Sequence, residues 1–365
     1  MSQSKHKIRV GIIFGGRSGE HEVSLNSARS VMKALDPEKY EVVQIGITHE
    51  GQWLTGEAMQ ALTAGYQAGE NGRMALVQAG TSETQISQLT ASNAIDVVFP
   101  VLHGTYGEDG TVQGLLELAG VPYIGAGVVG SAVGMDKAIF KQVMTANQIP
   151  VLPWLLVLKS QWQARPQTIL DLIEARLRYP VFTKPANLGS SVGISKCRDR
   201  AELATGLDEA ARFDRRIVIE QGINARELEV SVLGNDDPIA SIVGEVRPRR
   251  DFYDYVAKYV SDDSELLIPA PLTPELAANV RRMAVQAYQA IDCAGLGRVD
   301  MLLDKDSDAV YLNEINTIPG FTQISMYPKL WEATGLSYPE LLDRLVQLAL
   351  ERFAEKDQLT HRFEV

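Results

Sequence analysis

The chain has 365 residues, 45% hydrophobic and 22% charged, with a formal net charge of −11 at pH 7. That length supports two or three domains, and the acidic balance argues against a general binder of nucleic acid or of an anionic membrane surface. Cys197 and Cys293 are the only cysteines, which excludes a disulfide framework and a cysteine-based zinc site.

In chain order, the polar start MSQSKHK is too short and wrongly flanked for a signal peptide, and no apolar run approaches a membrane span. A soluble cytoplasmic protein is expected. KIRVGIIF reads as a strand, SLNSARSVMKAL as an amphipathic helix, and YEVVQIGIT (40–48) as a second strand. This β-α-β unit implies a parallel sheet at the N-terminus. Between the first strand and the helix lies the glycine turn FGGRSGEHEVS, which suggests a phosphate cradle. A dinucleotide fingerprint, however, would need glycine where Phe14 stands, so that reading fails. Residues 50–92 are polar and rich in Ala, Gly and Gln, and read as a helical or loop insertion. IDVVFPVLHG returns to the sheet, and TVQGLLELAG is a helix ending on Gly120. A domain junction within VPYIGAGVVGSAVGMDKAIFKQVMTANQ leads into a helix that holds Lys137 and Lys141. Strands and glycine loops alternate through YPVFTKPANLGSSVGISK, a helix covers 199–212, and RIVIEQGI is a strand. From 226 the chain is strand-rich, interrupted by 247–270, an irregular, charged, tyrosine-rich stretch expected to be a functional lid.

Two stretches carry the chemistry. RVDMLLD and VYLNEIN flank the turn KDSDA, so a hairpin centred near 307 would pair 300 with 314 and 298 with 316. Arg298, Asp300, Glu314 and Asn316 would then share one face, with Val299, Met301 and Ile315 on the other. The acids and the carboxamide suit Mg²⁺, but a solvated hairpin face would look the same, and the residues alone leave both readings open. In TKPANLGSSVGISK, Lys184 leaves a strand for a loop with Gly189, Ser190, Ser191 and Gly193. Small residues let backbone N–H groups approach phosphate oxygens, although the order of residues is not that of a P-loop. Lys137, Glu220, Glu227 and His103 each read as structural when taken singly; basic groups, acids and a lid together are what phosphoryl transfer requires.

Taken in order, FGGRSGEHEVS, LHGTYGEDG, GMDK, KPANLGSSVG, FYDYVAKY, GRVDMLL and NEINTIPGFTQISMYP resemble D-alanine–D-alanine ligases of the ATP-grasp superfamily, from about residue 8 to the C-terminal helix. The resemblance implies an α/β fold, α+β in part, with an N-terminal parallel α/β substrate domain (1–127) and two domains that clamp ATP, a central one (128–223) and a C-terminal one (224–365). It implies Lys137 and Lys184 on the α- and β-phosphates, Ser190 and Ser191 over the triphosphate, and Lys258 reaching the γ-phosphate. Adenine would lie against 220–223 (Glu220, Gly222, Ile223), with Glu227 on the ribose. Asp300, Glu314 and Asn316 would hold two Mg²⁺ ions, which Mn²⁺ could replace. Glu20 would pair with the ammonium of the first D-alanine, with His103 close to this pocket. Ser325 and Met326 would receive the carboxylate of the second, and Arg298 with the Gly320 N–H would face the oxyanion. Glu20, Ser190 and Tyr259 would latch the lid. The implied product is D-alanyl-D-alanine for peptidoglycan precursors, made in the cytoplasm by a homodimer. Thr183 and Leu188 depart from common residues at their positions without touching a catalytic role. The rival products are D-alanyl-D-lactate or D-alanyl-D-serine, and Tyr259 argues against the lactate ester; a sensor without catalysis would have lost a lysine or metal ligand.

Overall fold

The computed structural model describes residues 7–55, 95–248 and 264–360. The first alternating apolar run becomes β1 (Ile8–Gly15), followed by α1 (His21–Ala34) and β2 (Tyr40–Ile47). β1 pairs parallel with β2 and with β4 (Val97–Val101). Of the insertion expected over 50–92, the described part is β3 (Trp53–Thr55), a strand antiparallel to β2. Its Trp53 packs on a small apolar cluster around Ile45 and Ile47, which is why this end of the polar stretch is regular. The sheet order is β3-β2-β1-β4.

Beyond α2 (Thr111–Leu118), the segment expected to hold one helix holds two, α3 (Val128–Met135) and α4 (Lys137–Ala146). They meet at Asp136, whose carboxylate accepts the N–H groups of Ala138 and Ile139 at 3.1 and 3.0 Å and starts α4. An antiparallel sheet of order β5-β8-β6-β7 follows, from β5 (Trp154–Leu158), β6 (Val181–Pro185), β7 (Ser195–Cys197) and β8 (Arg216–Gln221). α5 (Lys159–Ala164), α6 (Pro166–Glu174) and α7 (Arg200–Phe213) lie against it and close a core around Ile173, Leu207 and Ile219.

The third sheet is antiparallel, order β11-β10-β9-β12-β13: β9 (Ala225–Gly234), β10 (Ile239–Pro248), β11 (Ser264–Leu267), β12 (Gly295–Asp304) and β13 (Val310–Asn316). α8 (Pro274–Ala290) buries Val280, Ala284, Ala287 and Tyr288 on it, and α4 adds Phe140 and Met144. The stretch 247–270, expected to be irregular throughout, is regular at both described ends, where 245–248 of β10 pair with 264–267 of β11.

α9 (Met326–Thr334) and α10 (Tyr338–Asp357) end the described chain. Leu341, Leu342 and Leu345 of α10 and Trp331 of α9 join Val10, Phe14, Leu25, Val31 and Phe99 in one core. The C-terminal helices therefore complete the N-terminal domain's interior, and the chain's two ends fold as one body.

Candidate active site

The second and third sheets, together with the start of α1 and Glu108, line one cavity of about 1620 Å³. Ligand pockets commonly measure about 300–1,000 Å³, so this one has room for several substrates side by side.

On the C-terminal side, β12 and β13 pair Arg298 with Asn316 and Asp300 with Glu314, in the register the turn spacing predicts. Period-two alternation sends Val299, Met301 and Ile315 into the core, each 3% exposed or less. A register shift follows Asp300, so Met301 lies opposite Leu312. Asp300, Glu314 and Asn316 all line the cavity. Asn316 Oδ1 is shielded from solvent and has no hydrogen-bond partner among the described residues. An orphaned buried acceptor beside two carboxylates could hold a hard divalent cation.

Arg298 grips Asp300 through Nε and Nη2 at 2.7 and 2.6 Å, and its Nε lies 3.0 Å from Glu229 Oε2. Glu229 escaped the sequence reading, although it sits two residues beyond Glu227 on the same face of β9 and was legible from that spacing. Glu227 lines the cavity as well, with Gly222 and Ile223.

The basic groups come from the central domain. Lys184 and Lys141 both pair with Glu220, and Lys141 is only 1% exposed. Burial pulls the Glu220 carboxyl upward, but the charges and hydrogen bonds of the two lysines outweigh it and hold the group at about 2. Lys141 was noticed only as a helix residue; without the fold nothing distinguished it from a surface lysine. Lys137 donates to the Leu188 carbonyl at 2.7 Å and stands 4.0 Å from Glu314. The loop after Lys184 connects β6 to β7, and within it Ser190, Ser191 and Gly193 all have positive φ. Two of the loop's N–H groups close turns, from Val192 to the Gly189 carbonyl and from Ile194 to the Ser191 carbonyl, each at 3.3 Å. At Gly193 a Cβ would come within 2.6 Å of the Phe213 ring, so the position needs glycine for space as well as for φ.

The glycine turn after β1 presents Glu20 at the start of α1, and its carboxylate accepts the Ser190 hydroxyl across the cavity. A Cβ on Gly104, at φ 76°, would fall 2.7 Å from Glu20 Oε2, so that glycine makes room for the carboxylate.

His103, expected close to the pocket of the first D-alanine, is buried and is not among the residues that line the cavity. Its Nδ1 donates to the Ile318 carbonyl at 2.8 Å, which makes Nε2 the acceptor for the Ser27 hydroxyl at 3.1 Å. Burial lowers its pKa against the pull of Glu20, in keeping with a neutral ring. Ser27 Oγ in turn accepts the Phe321 N–H at 3.2 Å. Glu108, from the same LHGTYGEDG stretch, accepts the N–H groups of Gly104 and Ile318 at 2.6 and 3.1 Å. Its carboxyl is pushed up to about 8, first by burial and then by Glu20. These bonds tie the segment leading to Gly320 onto the N-terminal domain. Gly320 and Ser325 face the cavity, with Met326 beside them at the start of α9. Lys258 and Tyr259 lie outside the described residues.

The profile described as "D-ala D-ala ligase N-terminus" matches residues 9–126, and "D-ala D-ala ligase C-terminus" matches 143–347. A relative from Heliobacterium modesticaldum named "D-alanine--D-alanine ligase" is 52% identical over 356 residues, covering 96% of this chain and 97% of that protein. Among solved structures, the D-alanine-D-alanine ligase of Coxiella burnetii superposes with a TM-score of 0.78 at 33% identity, covering 96% of both chains. The VanG D-Ala:D-Ser ligase of Enterococcus faecalis gives 0.79 at 34% identity, over 94% of this chain and 100% of that one. With both profiles in order along it and a fold of the ATP-grasp type, the chain belongs to the D-alanine–D-alanine ligase family.

Proposed function

We propose that this chain joins two D-alanines into D-alanyl-D-alanine at the expense of ATP, with the residues of the shared cavity in the roles below. The observation that carries the reading is the meeting, in one cavity, of the Glu20 carboxylate, the lysines at 137 and 184, and the oxygen set at 300, 314 and 316.

Lys137 and Lys184 hold the α- and β-phosphates, and the N–H groups of the Ser190–Ser191 turn cover the triphosphate. Adenine lies against Glu220, Gly222 and Ile223, mainly at backbone groups, and Glu227 takes the ribose hydroxyls. Asp300, Glu314 and Asn316 fit Mg²⁺, because they offer hard oxygens and one of these is an orphaned buried acceptor. When bound, Mg²⁺ (or Mn²⁺) offsets the negative charge of the phosphates during transfer.

Glu20 pairs with the ammonium of the first D-alanine and directs its carboxylate at the γ-phosphate. A carboxylate oxygen bonds to phosphorus, the bond to the ADP oxygen breaks, and an acyl phosphate results. Ser325 and Met326 receive the carboxylate of the second D-alanine, whose amine attacks the acyl carbon. Arg298 and the Gly320 N–H face the oxyanion of the tetrahedral intermediate, which collapses to the peptide with loss of phosphate. The amine's surplus proton leaves in the same step. His103 stands close to the pocket of the first D-alanine, and with Glu108 it holds the segment before Gly320 in place. Glu20 and Ser190 close the site against water, which would otherwise hydrolyse the acyl phosphate. We place the domain boundaries at 127 and 223, and the enzyme acts in the cytoplasm as a homodimer.

Incubating the protein with MgATP and D-alanine, alone and with D-serine or D-lactate, tests the reading. D-alanyl-D-alanine formed in step with ADP and phosphate is expected. A predominant ester or D-alanyl-D-serine product overturns the substrate assignment, and the absence of D-alanine-stimulated phosphate release overturns the activity.

A further inference from the structure

One buried lysine has no part in the roles assigned above. Lys141 is 1% exposed and is not among the residues that line the cavity, whereas Glu220 and Lys184 both are. Its place follows from the packing of α4. Ala138 sits in a small cluster with Val218 of β8 and with Ala186. One turn further along the helix, Lys141 meets Glu220, which is two residues after Val218 on the same strand face. Lys184 of β6 lies opposite Val218 and so shares that face. Each Glu220 oxygen then has its own lysine: Oε1 accepts from Lys141 Nζ, and Oε2 accepts from Lys184 Nζ.

Stability alone gives no reason for a buried lysine here, since replacing a buried ion pair by apolar groups is often neutral or stabilising. A reason appears if Lys184 has to change partners. A bound phosphate draws Lys184 from Glu220, and a buried carboxylate left without donors is costly. We propose that Lys141 is a positioning residue for nucleotide binding: it keeps Glu220 Oε1 paired, so that Lys184 can turn from Oε2 to phosphate. The inference rests on the assignment of Lys184 to the nucleotide made above. Lys141 lies outside the cavity lining, so a ligand there does not compete for it. Burial draws the Lys141 amine down against the pull of Glu220, but a lysine nitrogen donates to Oε1 in either protonation state. Without Lys141, phosphate would compete with Glu220 for the one lysine that remains between them.

The test compares ADP with adenosine, titrated calorimetrically into the full-length protein in excess Mg²⁺. Adenosine reports the base and ribose contacts, and the advantage of ADP over it reports the phosphate contacts. Lys141→Met should reduce that advantage by about tenfold or more and leave adenosine binding unchanged. Adding Glu220→Gln to Lys141→Met should restore the advantage, because a neutral amide competes weakly for Lys184. Unchanged ADP binding in Lys141→Met overturns the inference. So does an equal loss for both ligands, which marks a packing role, and so does a double variant that stays weak. A wild type that binds ADP no better than adenosine overturns the nucleotide assignment of Lys184, and the inference with it. If Lys141→Met does not fold by its thermal midpoint, Glu220→Gln is compared with the double variant. Equal ADP advantages are then expected, and a smaller one in the double variant shows that Lys141 does not act through Glu220.

Discussion

Single atoms decide the chemistry at two places. Asn316 Oδ1 is a buried acceptor with no hydrogen-bond partner among the described residues, beside Asp300 and Glu314 on the cavity wall. Asn316→Leu keeps the branching at Cγ and removes the oxygen. Dipeptide formation should fall on the order of 100-fold, with a higher Mg²⁺ requirement, and near-normal turnover at saturating Mg²⁺ would contradict the assignment. Glu108 supplies a pH test. Its folded-state carboxyl, at about 8, lies above its ordinary 4.5, so the folded protein holds this proton more tightly than the unfolded chain does. The associated stabilisation is fully present below pH 4.5 and is lost as pH rises toward 8. Glu108→Gln cannot ionise and turns an amide toward one of the two N–H donors. The variant should therefore unfold more easily overall, yet with a shallower decline of its thermal midpoint between pH 5 and 8. Parallel curves for the two proteins would show that another group carries the slope.

At the scale of elements, the start of α4 is the most informative. Asp136 caps the helix, pairs with Arg216 of β8, and precedes Lys137, whose N–H donates to the Ala186 carbonyl at 2.8 Å. One carboxylate thus starts a helix, ties it to the central sheet and positions Lys137, the residue proposed to hold phosphate. Asp136→Ala removes a cap worth about 1 kcal/mol and leaves Arg216 without this partner. A lower denaturant midpoint together with a raised KM for ATP is expected; a stability loss with KM unchanged would separate the cap from Lys137. The β12–β13 hairpin shows the opposite case, an element whose geometry is local. Its turn and alternation set the pairing of 298 with 316 and 300 with 314, so both were readable from spacing. The bulge after Asp300 was not readable, since nothing in the local pattern marks an extra residue.

Across the whole molecule, one contact between domains spans the cavity at Glu20. Ser190 of the central loop reaches Glu20 of the N-terminal domain, residues 170 positions apart. A hydrogen bond to a charged group contributes about 1.5–3 kcal/mol. Ser190→Ala should favour the open site and let water reach the acyl phosphate. Phosphate release should then exceed dipeptide formation, measured on the same samples, and a preserved one-to-one ratio would argue that the latch lies elsewhere. The C-terminal helices bind the ends of the chain more firmly: α10 fills the N-terminal core, and Arg352 donates to the carbonyls of Tyr123 and Gly125.

By itself the sequence determined what depends on neighbours along the chain. The parallel start, the hairpin register, the glycine turns and the order of motifs that carries the family resemblance all follow from local period and spacing. Spacing also excluded a dinucleotide fingerprint at the glycine turn after β1, where Phe14 stands, whereas its assignment to substrate came from the family resemblance. Tertiary structure alone decided which side chains meet across long separations. The burial of Lys141 against Glu220, the engagement of both His103 nitrogens, and Glu108 on Ile318 belong to this group. The physical reason is that burial and partner charge are properties of packed elements. A lysine, histidine or glutamate has the same local signature on a solvated face as in a buried ion pair, until another sheet closes over it.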